Sequence, residues 1–208
     1  LFISEYAEGT GYNKYIEIYN GTGSAVNLSE YQIWKITNGG SWSEDTLNLS
    51  GTLEYNDVYI ICSSDPSVDS IITASADTTW NKANWNGDDA VGLAKLGVLI
   101  DAVGTDGIDP GNGWSVAGIN EATQSHTLVR KCFVTEGNTN WITSSGTDSL
   151  NSEWIVLPEN DWTYIGYHWL CQNIYVPGCT DSLACNYDSL ATIDDSSCIY
   201  PTTSTTSV

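Results

Sequence analysis

Five hard oxygen donors, Asp181, Asn186, Asp188, Asp194 and Asp195, fall between two cysteines, Cys179 and Cys198. Calcium takes about six to eight oxygen ligands, so carboxylates and an amide gathered on a short loop, completed by backbone carbonyls, suit a structural calcium ion. Calcium is the one cofactor this reading predicts. A second acidic stretch, Asp106-Gly107-Ile108-Asp109-Pro110-Gly111-Asn112, has the Asp-Gly and Pro-Gly chemistry of a turn and is read as one.

Catalytic chemistry has little to stand on. His126 and His168 are the only histidines and lack a metal-binding spacing. Both read as surface residues of a strand or loop. Gly113-Trp114-Ser115-Val116-Ala117 begins like a nucleophile elbow but ends in Ala where that motif needs Gly. The chain is therefore read as a non-enzyme. Among the tryptophans, Trp80, Trp85 and Trp114 lie in polar Gly- and Asn-rich segments and are the ones expected to be exposed, where rings could stack on a glycan ligand.

Six Lys and Arg stand against 26 Asp and Glu, a formal charge of −20. Nucleic-acid binding needs clustered cations that release counterions, and no Lys or Arg follows Lys131. An anionic membrane surface is disfavoured for the same reason, and no apolar run approaches the length of a membrane span. Six cysteines with few lysines indicate an oxidising compartment. Cys62 and Cys132 both follow apolar strand-like runs and are expected to pair. Cys179 and Cys198 bracket the acidic loop and are expected to pair, which leaves Cys171 with Cys185; four cysteines allow three connectivities.

The elements that position these residues are short β-prone runs separated by Gly, Asn, Asp and Ser. Examples are Tyr15–Tyr19, Tyr31–Ile36, Val58–Cys62 and Thr127–Arg130. That spacing predicts an all-β sandwich. Ala90–Lys95 and Val98–Asp101 read as a hairpin, and Ser67–Asn86 as an irregular stretch with one short helical turn. The division expected is a sandwich over 1–167, a connector over 168–177, an acidic Cys-rich repeat over 178–201 and a Thr/Ser tail over 202–208. The absence of an initiator Met, with an apolar run already at Leu1-Phe2-Ile3, suggests a processed or excised piece; export is inferred, since no signal peptide is present.

Several separated motifs, in order, carry a family resemblance: Leu1–Tyr6, Tyr15–Asn20, Val26–Ser29, Trp85–Val91, Leu99–Gly104, Thr127–Lys131 and Glu153-Trp154. The first part resembles the lamin-tail family as it occurs in secreted bacterial proteins. That resemblance implies an immunoglobulin-like sandwich without known catalysis, often attached to exported nucleases, hydrolases and surface proteins. Gly178-Cys179-Thr180-Asp181, Asn186-Tyr187-Asp188 and Ala191–Cys198 are similar to an acidic Cys repeat of exported Bacteroidetes-type proteins and to thrombospondin type 3 repeats, which implies a stabilising calcium. Asp followed by Ser or Thr and an aliphatic residue recurs at Thr46, Ser70, Ser149, Ser182 and Ser189. It resembles the O-glycosylation motif of such exported proteins, which implies O-glycans on those hydroxyls.

The function expected is an extracellular or cell-surface structural or adhesive module, in its strongest form a subunit of a polymeric fibre. Identical subunits would join through the tail Thr202–Val208, which is β-prone and uncharged and could add to a neighbour's sheet edge. The alternative is an accessory binding or targeting domain of a larger secreted nuclease or hydrolase.

Overall fold

Alternation of side chains along each strand dictates which residues meet, and here it builds two sheets around one core. The structure, a computed structural model, describes residues 1–169, 177–188, 191 and 193–200. The strands in chain order are β1 (Phe2–Glu8), β2 (Lys14–Tyr19), β3 (Val26–Asn27), β4 (Tyr31–Ile36), β5 (Asp45–Asn48), β6 (Thr52–Leu53), β7 (Val58–Ser63), β8 (Thr78–Trp80), β9 (Ala90–Lys95), β10 (Val98–Val103), β11 (His126–Arg130) and β12 (Trp154–Pro158). Among the described residues two short α-helices, α1 (Ser70–Ser75) and α2 (Trp141–Ser145), and a 3-10 turn at Leu28–Glu30 interrupt them. The chain divides into two compact units, Leu1–Trp169 and Leu170–Val208.

In the first unit a six-stranded sheet runs β12-β11-β1-β2-β7-β8 and a four-stranded sheet runs β10-β9-β4-β5. Ile16 and Ile18 of β2, Ile61 of β7 and Leu128 of β11 meet Tyr31 and Ile33 of β4 and Val91 and Leu93 of β9 in the shared core. This is an all-β, immunoglobulin-like sandwich. The hairpin expected from sequence is β9–β10, and the short helical turn is α1, capped by Asp69, whose side chain accepts the Ile71 N–H.

Two features go beyond simple alternation. The register of β1 against β2 shifts between Ile3 and Glu5. The bulge lets Ile3 and Tyr6, three residues apart, both enter the core, while Ser4 and Glu5 turn to the opposite face. That outer face is itself covered: Ala7, Tyr15, Ile60 and Cys62 form a second cluster with Val68 and Ile72, flanked by Trp162 and Ile165.

The cysteines require two corrections. Cys62 is a free, buried thiol on the outer face of β7, so it does not pair with Cys132, which is disulfide-bonded elsewhere. The cause is strand order: β1 and β2 lie between β7 and β11. Three strand spacings, about 14 Å, far exceed the roughly 4–7 Å between disulfide-linked Cα atoms. Cys185 is an exposed free thiol, on a turn whose Cys185 N–H bonds to Ile199 O, so it does not form the bridge expected with Cys171. Cys171 itself lies outside the described residues.

In the second unit, β13 (Pro177–Gly178) pairs in parallel with β14 (Ile193–Asp194). The disulfide Cys179–Cys198 closes the acidic loop, as the sequence indicated. Of the expected connector, His168 belongs to the first unit, where its ring meets Phe2 and Tyr19. Residues 170–176 and the tail 202–208 lie outside the described residues.

Candidate functional site

The acidic loop was the first candidate, and its side chains are occupied with the loop itself. Asp181 accepts the Leu183 N–H at 2.9 Å and the Tyr200 hydroxyl at 2.8 Å. These bonds, the Leu183 amide foremost, hold its carboxyl below the ordinary range. Asp194 accepts the Ser196 N–H and Asp195 the Ser197 N–H, each at 2.9 Å. Asn186 accepts the Ile199 N–H and donates to Ser197 O, while the Asp188 N–H bonds to Cys179 O. The Asp181, Asp194 and Asp195 bonds to the N–H two residues on are Asx-type turns, and the others close the loop across its width. Among the described residues no group of three or more His, Cys, Asp or Glu is gathered so as to hold a metal. A cation binding there would compete with these turns for the same carboxylate oxygens.

The charged residues of the first unit do come together, in the interior. Arg130 of β11 donates from Nη2 to both carboxylate oxygens of Asp101 of β10, at 2.7 and 2.6 Å, with both side chains fully buried. Its Nε donates to Ile3 O of β1, and Nη1 donates to Ser144 Oγ and to Glu153. The guanidinium lies 3.9 Å from the Trp154 ring centre. Asp101 also accepts the Ile3 and Asn138 N–H groups. Burial pushes the Asp101 carboxyl up, and Arg130 opposes that shift. The network ties β10 of one sheet to β1 and β11 of the other. Sequence reasoning passed over it; the available signal was an arginine ending an apolar run in a chain with few cations.

Two further carboxylates were missed. Glu5 and Glu17 face each other across β1 and β2 and are almost wholly buried. Tyr15 donates to Glu5, while Ser4 and the Gly166 N–H donate to Glu17. Burial pushes both carboxyls up, Glu17 to about 7.

The remaining candidates are reassigned by burial. Trp80 and Trp85 are core residues rather than exposed platforms. Trp85 inserts because Gly87 lets its loop lie against residues 112 and 124, where a Cβ would meet Asn112 O at 2.6 Å. Only Trp114 of the three is part-exposed, lining a shallow groove of about 500 Å³ with Ile108, Trp141 and Ile142. His126 is half-buried on β11. His168 is buried with both ring nitrogens unpartnered, contrary to its surface reading, and desolvation lowers it to about 4. Ser115 lies in a loop without the strand-to-helix turn a nucleophile elbow requires.

Of the hydroxyls in the repeated Asp-Ser/Thr-aliphatic motif, Thr46, Ser70, Ser149 and Ser182 are exposed, and Ser189 lies outside the described residues. In three copies the Asp side chain accepts the N–H two residues on, at Ile71, Leu150 and Leu183. The aliphatic residue then points outward: Leu150 is 90% and Leu183 80% exposed.

No helix among the described residues is long and apolar enough to cross a membrane. No curated protein sequence matches the chain. A family model, the lamin tail domain, matches residues 1–107. The matched stretch covers β1 to β10, and β11 and β12 complete the six-stranded sheet beyond it. The two-sheet sandwich and a match over more than half of the 208 residues lead to one conclusion: the chain belongs to the lamin tail domain family, whose members are immunoglobulin-like, non-catalytic modules.

Proposed function

We propose that this protein is an extracellular structural or adhesive module that polymerises by strand addition, the tail of one copy pairing with a sheet edge of the next. The observation that carries this reading is the open edge at β12. Among the described residues β12 pairs only with β11, and its run Ile155-Val156-Leu157 is half-buried at the margin of the core. An edge strand presents unpaired N–H and C=O groups that template another strand. The buried Arg130–Asp101 pair supports the same reading, since it joins the two sheets in the interior. The disulfide in the second unit is consistent with the oxidising environment outside the cell.

Deleting residues 202–208 is expected to abolish assembly while leaving the sandwich folded, read by sedimentation and circular dichroism. Equal assembly by the truncated chain would remove the tail's role. A structural calcium in the acidic loop is part of the proposal. Chelation is expected to lower the melting temperature of the second unit and its resistance to proteolysis, and unchanged values would remove the ion. If the protein stays monomeric, the accessory-domain reading gains, with the Trp114 groove as the surface to examine.

We extend the proposal to O-glycans on Thr46, Ser70, Ser149, Ser182 and Ser189. Its support is the recurrence of the motif and, at Ser70, Ser149 and Ser182, an Asp whose side chain accepts the N–H two residues on and an aliphatic residue turned to solvent. Intact mass on protein from its own host is expected to exceed 22.6 kDa; the bare mass would dispose of the idea.

A further inference from the structure

The stretch from Glu159 to Trp169 follows β12 and lies against the outer face of the six-stranded sheet as a strap. Its Trp162 ring meets Tyr15 at 5.6 Å, Ile165 joins the second cluster, Asn160 bonds to Thr10, and His168 meets Phe2 and Tyr19. Gly166 adopts φ +94°, a left-handed conformation that favours glycine, and its N–H reaches Glu17 at 2.8 Å. Beneath the strap sit Glu5 and Glu17, opposed across the β1–β2 ladder. Directly opposed residues have Cβ atoms about 5 Å apart.

Among the described residues no cation answers this pair. From β1 and β2 it receives the Ser4 and Tyr15 hydroxyls. β11 places Val129 opposite Glu5, and β7 places Ile60 opposite Glu17. The charged groups acting on the pair, Asp161 of the strap on Glu5 and Asp77 before β8 on Glu17, are both acidic. One oxygen of Glu5, Oε1, is buried with no partner at all. Two carboxylates so placed cannot both carry charge at low cost, and a proton on the pair supplies both the missing neutralisation and a donor.

We propose that Glu5 and Glu17 form a protonic latch: the strap closes over the pair when the carboxyls hold protons and loosens when both ionise. Covered, Glu17 keeps its proton up to about 7, against an ordinary value of 4.5. Desolvation is the largest cause, so uncovering the pair restores ordinary acidity even though the Gly166 bond is lost. Closure therefore takes up protons, and its advantage fades as pH rises from 4.5 through 7. Glu5, raised by burial and by Glu17, acts in the same direction. His168 acts oppositely: buried, it stays neutral down to about 4 against an ordinary 6.5, so its docking strengthens as pH rises across that interval. His168 offsets one carboxyl's share of this loss up to about 6.5. Above that only the carboxyls titrate, and the strap loosens.

Hydrogen exchange of the full chain tests this at residues 161–168. Corrected for intrinsic rates, exchange there is expected to rise on the order of tenfold between pH 6.5 and 8.5 while core strands stay constant. Glu5→Gln with Glu17→Gln, which keeps an acceptor for Gly166, is expected to flatten the response. His168→Phe, which keeps a ring between Phe2 and Tyr19, is expected to extend the response below pH 6.5. A wild-type strap whose protection does not change with pH, or an equal response in the Gln variant, would overturn the latch. So would full protection at pH 8.5 that depends on added calcium, since a cation would then hold the pair. Should the double variant fail to fold, a carbon-13 titration of the wild-type glutamates decides: both carboxyls ionising at ordinary values would also overturn it.

Discussion

Replacing Arg130 with alanine is expected to cost about 3–5 kcal/mol of stability, the range for breaking a buried ion pair by removing one partner. The loss has identifiable parts. Asp101 would remain fully buried with its carboxyl already pushed up by desolvation and its paired guanidinium gone. Ile3 O and Ser144 would each lose a donor, and the Trp154 ring would lose the guanidinium stacked on it. Replacing Arg130 and Asp101 together by apolar residues often rescues such sites, but rescue should be incomplete here. The Ile3 N–H, the Ile3 carbonyl and the Asn138 N–H all depend on the pair and would be left orphaned. Urea unfolding followed by tryptophan fluorescence measures both variants. A cost below about 1 kcal/mol for Arg130→Ala would mean the network is not what joins the sheets.

Trp85→Ala is expected to cost a similar 3–5 kcal/mol, the range for removing a large aromatic from a packed core. Trp85 is fully buried, stacks on Tyr6 at 5.7 Å and donates from Nε1 to Ala7 O at 2.8 Å. Trp85→Phe separates the two contributions. It keeps a ring against Tyr6 but leaves Ala7 O unsatisfied, so roughly 1–3 kcal/mol is expected. If alanine and phenylalanine cost the same, the hydrogen bond rather than packing governs the site.

Much of the fold could be read from the chain because it rests on local pattern. Strands β2, β4, β7 and β11, the β9–β10 hairpin and the single turn of α1 all carry their own periodicity or turn residues. What escaped depends on remote covering and on strand order. Glu5 and Glu17 look solvated in sequence because alternation puts them away from the core; only Val68, Ile72, Trp162 and Ile165, far along the chain, bury that face. Trp80 and Trp85 sit among polar neighbours, and nothing local shows that the ring points inward while the flanking Asn84 and Asn86 stay exposed. Cys62 and Cys132 both end strand-like runs, yet pairing them needs adjacency that the order β11-β1-β2-β7 denies. In the acidic loop the residues were legible, but not their local use: turn-forming Asp and Asn have the same composition as metal ligands.

The central claim is polymerisation of a lamin-tail sandwich through its edge. With a charge of −20, like-charged copies repel, so assembly should strengthen as salt screens them. The most direct measurement is sedimentation velocity of the full chain, with negative-stain imaging of the same sample, at rising protein and salt concentration with calcium present. The account predicts open filaments that grow with ionic strength, as expected for a head-to-tail contact that does not close on itself. A single monomeric species at every concentration and salt level would contradict it.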